Sequence, residues 1–94
     1  MEKYAEQQIM ELIDRAAGGR LHPGVLGVIR RDVICGEHVM ALECLWENLW
    51  EKFSTVEVAT QTELHAMMAA YGMDPARYPF PIESGPTAFR RDDP

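Results

Sequence analysis

Apolar side chains recur three and four residues apart along much of this 94-residue chain, a spacing that predicts helices. The first such pattern covers residues 2–17 and ends at Gly18-Gly19, which predicts an amphipathic helix with a glycine stop. Its apolar positions are Ile9, Leu12, Ile13 and Ala16.

Residues 22–35 carry conflicting signals for helix and for strand. Pro23 suits the first turn of a helix, whereas Gly24 and Gly27 weaken a helix and the valines and isoleucines favour a strand. The apolar pairs nevertheless keep a helical spacing, and strict alternation is absent. We therefore favour a helix.

A third helix is predicted from Glu37, directly after Gly36, to about Phe53 in the stretch "GEHVMALECLWENLWEKF". On a helical wheel, six side chains lie within about 60° of Leu42 and are expected in the core. These are Val39, Leu42, Leu45, Trp46, Leu49 and Phe53.

The fourth predicted helix has two candidate starts and one end. Residues 54–57 and 60–63 both have a capping-box sequence, and the sequence does not choose between them. Gly72 ends the helix, and Met73 is placed to pack back on Met68 in a Schellman-type cap. The apolar stripe is Leu64, Met67, Met68 and Tyr71.

Asp74-Pro75 predicts one further short turn, and the prolines that follow predict an extended tail. The expected fold is all-α: a small bundle of four helices with a short fifth turn. We expect a single domain over residues 1–82 and a mobile tail over 83–94. The side chains of this region that are expected to pack on the bundle are Tyr78, Phe80 and Ile82.

The net charge of −6 comes from one block of the chain. Residues 1–35 carry five acids and five bases, and residues 75–94 carry three of each, whereas residues 36–74 carry seven acids against Lys52 alone. This distribution argues against nucleic acid or an anionic membrane as the partner and suits a basic protein. The alternative is a solvated acidic face that keeps the domain soluble.

Within this block, three glutamates spaced by four residues form a line along the third helix, with Trp50 at the border of the core stripe. Their mutual repulsion costs a few tenths of a kcal/mol per pair, on the order seen for like charges at this spacing. Either the line binds a basic partner, or Arg30 or Arg31 of residues 22–35 neutralises it. The candidate partner-binding residues are Met40, Glu43, Glu47, Trp50 and Glu51.

The sequence shows no pattern for catalysis, for a cofactor or for a metal. Cys35 and Cys44 are expected to be reduced, structural thiols, and their spacing with His38 matches no strong zinc motif. There is neither a glycine-rich phosphate loop nor a long apolar run, and the N-terminus lacks the features of a secretory signal. A non-enzymatic cytoplasmic protein is expected.

Nine residues of the third helix and of the end of the fourth carry a resemblance to a known family: Gly36, Glu37, Ala41, Leu42, Glu43, Leu45, Leu49, Gly72 and Asp74. Through these residues the central region, about residues 23–80, resembles the MafI-type immunity proteins of bacterial polymorphic toxin systems. The resemblance implies a small cytoplasmic helical protein that binds and neutralises a cognate toxin, often a nuclease. A basic, phosphate-binding toxin would suit an acidic inhibitor.

The alternative function is that of a helical adaptor or regulatory module. An exposed seam of Met and Trp side chains would equally be buried in a homodimer or against another helix.

Overall fold

The computed structural model describes residues 4–52 and 56–80, which form an all-α bundle without strands in those ranges. The fold class predicted from the sequence is confirmed. Phe53, Ser54, Ile82 and the predicted tail over residues 83–94 lie outside the described residues. The helices are α1 (Glu6–Ala17), α2 (Pro23–Ile34), α3 (His38–Glu51) and α4 (Val58–Ala70), followed by a 3-10 turn at Pro75–Arg77.

The ambiguous residues 22–35 fold as helix α2. His22 is the N-cap residue, and its Nδ1 accepts a hydrogen bond of 2.9 Å from the backbone N–H of Gly24. Ile29 and Val33, one turn apart, are fully buried, so burial of this face outweighs the weak helix propensity of the glycines and valines. The preference for helix is confirmed.

The end of α4 has the hydrogen bonds of a Schellman motif. Gly72 has a φ of +83°, and the N–H of Met73 donates to the carbonyl oxygen of Met68 at 2.9 Å. Both methionines are buried, so the predicted cap is confirmed.

The start of α4 differs from the capping-box prediction for residues 60–63. The helix begins at Val58 with Glu57 at the N-cap position, and Thr60 lies inside the helix. Thr60 is only 2% exposed, so the position serves the core and not the helix end. A capping box over residues 54–57 would place Glu57 inside the first turn of the helix, but Glu57 is the N-cap residue and has a non-helical backbone, so this prediction is also wrong.

The core is one continuous cluster to which all four helices contribute. α3 packs chiefly on α2, while α1 contacts each of the other three helices. Among the described residues, two ion pairs join helices at the surface: Arg15 with Glu63 at 2.7 Å, and Arg30 with Asp14. The largest fully buried side chains are Ile9, Ile13, Ile29, Leu42, Leu45, Leu49, Leu64, Met67, Met68, Val33 and Val56.

The buried arc of α3 is rotated by about 50° from the arc that the wheel predicted. It consists of Ala41, Leu42, Leu45 and Leu49. Val39 is 39% exposed and Trp46 is half-buried, so their assignment to the interior was wrong for Val39 and only partly right for Trp46. The wheel was centred on large apolar side chains, whereas the packed bundle buries the small Ala41.

Candidate protein-binding face on α3

The five candidate residues of α3 lie on one side of the helix and form what we call the acidic–aromatic face: Met40, Glu43, Glu47, Trp50 and Glu51. They span about 100° of the helical wheel. Met40 is 54% exposed and Trp50 is 38% exposed, while Glu47 and Glu51 are exposed and Glu43 is half-buried. The fold therefore presents apolar and acidic groups together to solvent.

The two tryptophans of α3 stack on one another. Their ring centroids are 5.9 Å apart and their planes differ by 17°. Trp46, one turn before Trp50, packs against the core. The partly exposed indole of Trp50 therefore stacks on an indole that the core holds in place. The sequence separated the two residues into a core and a border position, but it did not predict that they stack.

Residues 73–80, which we call the docked segment, fix the indole of Trp46. The indole N–H donates to the carbonyl oxygen of Pro79 at 2.6 Å. The Tyr78 and Trp46 rings are in edge-to-face contact, with their centroids 5.2 Å apart. Nε2 of His65 lies 2.8 Å from the carbonyl oxygen of Tyr78, and because a carbonyl only accepts, this nitrogen carries the proton. Phe80 is buried beside His65. The predictions that Tyr78 and Phe80 pack on the bundle are confirmed.

The docked segment also reaches the line of glutamates. The hydroxyl of Tyr78 donates to Oε2 of Glu43 at 2.9 Å. The partner is a neutral phenol, so the hydrogen bond orients the carboxylate and leaves its charge in place. Sequence spacing missed this contact because the two residues are 35 positions apart.

The arginines of α2 do not neutralise the acidic–aromatic face. Arg30 pairs with Asp14 of α1, and the one other ion pair among residues 4–52 and 56–80 joins Arg15 to Glu63. The interpretation that Arg30 or Arg31 pairs with this line of glutamates is therefore not supported in the part of the chain that is described. Glu47 and Glu51 remain exposed to solvent.

Two groups beside the face have raised pKa values. Hydrogen bonding to Glu43 raises the pKa of Tyr78, because the ionised carboxylate favours the neutral phenol. Burial raises the pKa of the Cys44 thiol, and the negative charges of Glu47 and Asp32 add to the effect.

The two cysteines differ in their surroundings. Cys44 is partly buried and receives a contact of 3.6 Å from the amide of Asn48, whereas Cys35 is exposed at the end of α2. The turn into α3 places Cys35 on the surface. Among the residues described, His, Cys, Asp and Glu form no group of three suited to a metal ion.

A groove of about 290 Å³ lies between α1 and α4, away from the residues predicted to bind a partner. The Arg15–Glu63 ion pair contributes to its wall, so two of its three charged side chains are already paired with each other. Its lining residues are Tyr4, Gln8, Glu11, Leu12, Arg15, Glu63, Ala66 and Met67.

A scan of family models, a search of curated proteins and a search of solved structures each found no match to this chain. In the described ranges, each helix is too short or too polar to cross a membrane.

Proposed function

We propose that this chain is an immunity protein, which binds and neutralises a cognate bacterial toxin through the acidic–aromatic face. The toxin is a basic protein of the nuclease type. The observation that carries the proposal is the combination of exposed Met40 and Trp50 with glutamates that take part in none of the ion pairs of the described residues. The resemblance of residues 23–80 to MafI-type immunity proteins supports it.

The arrangement suits a protein partner for two physical reasons. Exposed methionine and tryptophan side chains gain free energy when a partner covers them, and tryptophan is often an energetic anchor of interfaces. A line of uncompensated glutamates attracts a basic surface over several ångströms and accelerates its association. A nuclease must hold phosphates, so its substrate groove offers the complementary charge.

The direct test is rescue of growth. The chain is co-expressed with the toxin domain encoded beside it, and survival and co-purification are scored. Survival with a stable complex supports the proposal, whereas the absence of both rejects it.

The binding face is tested with the double variant Glu47→Lys and Glu51→Lys. We expect association with the toxin to slow about tenfold or more at low salt and the difference to shrink as salt is added, because screening weakens the attraction. The matched control is Glu6→Lys with Glu11→Lys, which changes the net charge equally on α1. Equal rates for the two double variants would place the binding face elsewhere.

The variant Trp50→Ala tests whether Trp50 anchors the partner or only stabilises the fold. An anchor raises the dissociation rate of the complex, with a loss of about 2 kcal/mol or more in binding free energy. If the variant lowers only the melting temperature, Trp50 supports the fold and not the interface.

A second candidate function is a helical adaptor that acts through dimerisation, and exposed apolar side chains near the α2–α3 turn favour it. Ile34 is 62% exposed and lies close in sequence to Val39 and Met40, both also exposed. Light scattering at micromolar concentration discriminates the two functions. A stable dimer in which Trp50 fluorescence is shielded from a soluble quencher would favour the adaptor.

A further inference from the structure

We propose that the stacked indoles of Trp46 and Trp50, together with Glu47 and Glu51, form an anchoring site for an arginine side chain of the protein partner. This inference rests on the proposed function, since it names the chemical group that the acidic–aromatic face binds. It goes further in distinguishing arginine from lysine.

The indole pair offers a flat surface that is held in place before binding. Trp46 is fixed by its hydrogen bond to Pro79 and by the edge of the Tyr78 ring, and Trp50 stacks on it nearly in parallel. Trp50 keeps 38% of its surface exposed. A planar guanidinium stacks on such a ring and gains cation–π attraction, which is strongest for tryptophan.

Two exposed carboxylates lie on the same side of α3 as the indole of Trp50. Glu47 precedes Trp50 by three residues and is therefore its neighbour on the helix surface, and Glu51 continues the same line. A guanidinium presents a rigid fork of donors that matches a carboxylate, whereas an ammonium is a compact, strongly hydrated point charge. The combination of ring and carboxylate therefore favours arginine.

Glu43 has a different role in this site. Its carboxylate accepts the hydrogen bond of Tyr78, and the Tyr78 ring in turn contacts Trp46. Glu43 is thus a positioning residue that helps to hold the indole pair through the docked segment. The residues that we assign to contact with the arginine are Trp50, Glu47 and Glu51.

Charge complementarity selects this occupant over an apolar one. The whole excess of negative charge lies in residues 36–74, and the described ion pairs do not involve the glutamates of the face. A purely apolar partner would leave these carboxylates desolvated and unpaired, which is costly. A second copy of this chain would oppose the same charges, because a twofold interface pairs identical surfaces.

The test uses capped hexa-arginine and hexa-lysine peptides, which carry equal charge, as probes of the full chain at low salt. We expect hexa-arginine to bind about two- to fivefold more tightly than hexa-lysine, the range of a surface cation–π contact. In ¹⁵N correlation spectra the indole N–H of Trp50 should shift more with the arginine peptide. Equal affinities, or equal shifts of this resonance, would overturn the inference.

Three variants assign the preference to its residues. Trp50→Leu should abolish the difference between the peptides while both still bind, and Glu47→Gln should weaken both more than Glu11→Gln, a matched charge removal on α1. A preference for arginine that survives Trp50→Leu would overturn the inference. The shift of the Trp50 indole in the unmodified chain keeps the test valid even if that variant fails to fold.

The peptide experiment and the rescue experiment fail independently. Rescue without an arginine preference would retain the immunity function and reject the anchor. An arginine preference without rescue would retain the anchor and assign the face to another basic protein.

Discussion

The hydroxyl group of Tyr78 and the carboxylate of Glu43 show how a single contact links the end of the described chain to α3. The hydrogen bond joins residues that are distant in sequence, and it lies at the border between the indole pair and the line of glutamates. The effect of this hydrogen bond on the pKa of Tyr78 provides a direct measure, in solution, of the docking of residues 73–80.

We expect Tyr78 to titrate above the usual tyrosine range, and Glu43→Gln to lower its pKa, because the neutral amide no longer favours the phenol. Tyrosinate absorbance measures this, with Tyr78→Phe subtracted to remove the other tyrosines. The raised pKa also means that the contribution of Tyr78 to stability is complete below the unfolded value of about 10 and is lost as the pH rises through the folded value. An unchanged pKa in Glu43→Gln would contradict the contact.

The two thiols should react at different rates with a thiol reagent at mildly alkaline pH. Cys35 is exposed, whereas burial and the nearby Glu47 raise the pKa of Cys44 and reduce its thiolate fraction. We expect one fast and one slow phase, and Cys35→Ser should remove the fast phase. Glu47→Gln should accelerate the slow phase, and a slow phase that is indifferent to this change would contradict the assigned cause.

At the scale of helices and turns, periodicity predicted all four helices, including α2, whose propensities pointed in two directions. The reason is that burial of one face contributes more than intrinsic preference, as fully buried Ile29 and Val33 show. The start of α4 was less predictable, because a capping-box sequence is local, whereas the burial of Thr60 depends on the other helices.

Two glycine substitutions should have opposite effects on the free energy of unfolding. Gly27 lies inside α2 with open space around an added Cβ, so Gly27→Ala should stabilise the protein by about 0.8–1 kcal/mol. Gly72 has a φ of +83°, so Gly72→Ala should destabilise it by about 1–2 kcal/mol. Urea denaturation measures both, and effects of the same sign would contradict the assigned backbone geometry.

At the scale of the whole molecule, the docked segment connects α3 and α4 through side chains of both helices. Trp46 of α3 donates a hydrogen bond to the carbonyl oxygen of Pro79, and His65 of α4 donates one to the carbonyl oxygen of Tyr78. The buried ring of Phe80 anchors the same segment. The candidate face is therefore a product of the complete fold and not of an isolated helix.

Phe80→Ala should destabilise the protein by about 3 kcal/mol, because it removes a buried ring and leaves a cavity. It should also change the indole N–H resonance of Trp46, since the hydrogen bond to Pro79 depends on docking. The control is Val58→Ala, at a side chain that is 72% exposed, with an expected effect within about 0.5 kcal/mol. A small effect of Phe80→Ala with an unchanged Trp46 resonance would show that the segment does not dock.

The amino-acid sequence was enough to predict the helical class, the order of the helices, the Schellman cap at Gly72 and the concentration of negative charge in residues 36–74. Each of these features depends on the spacing or the composition of residues that are close together in the sequence. The tertiary structure alone decided that Arg30 pairs with Asp14, that Val39 stays exposed, and that Tyr78 meets Glu43. Such contacts join distant segments, so they depend on how the helices rotate and pack, which periodicity does not specify.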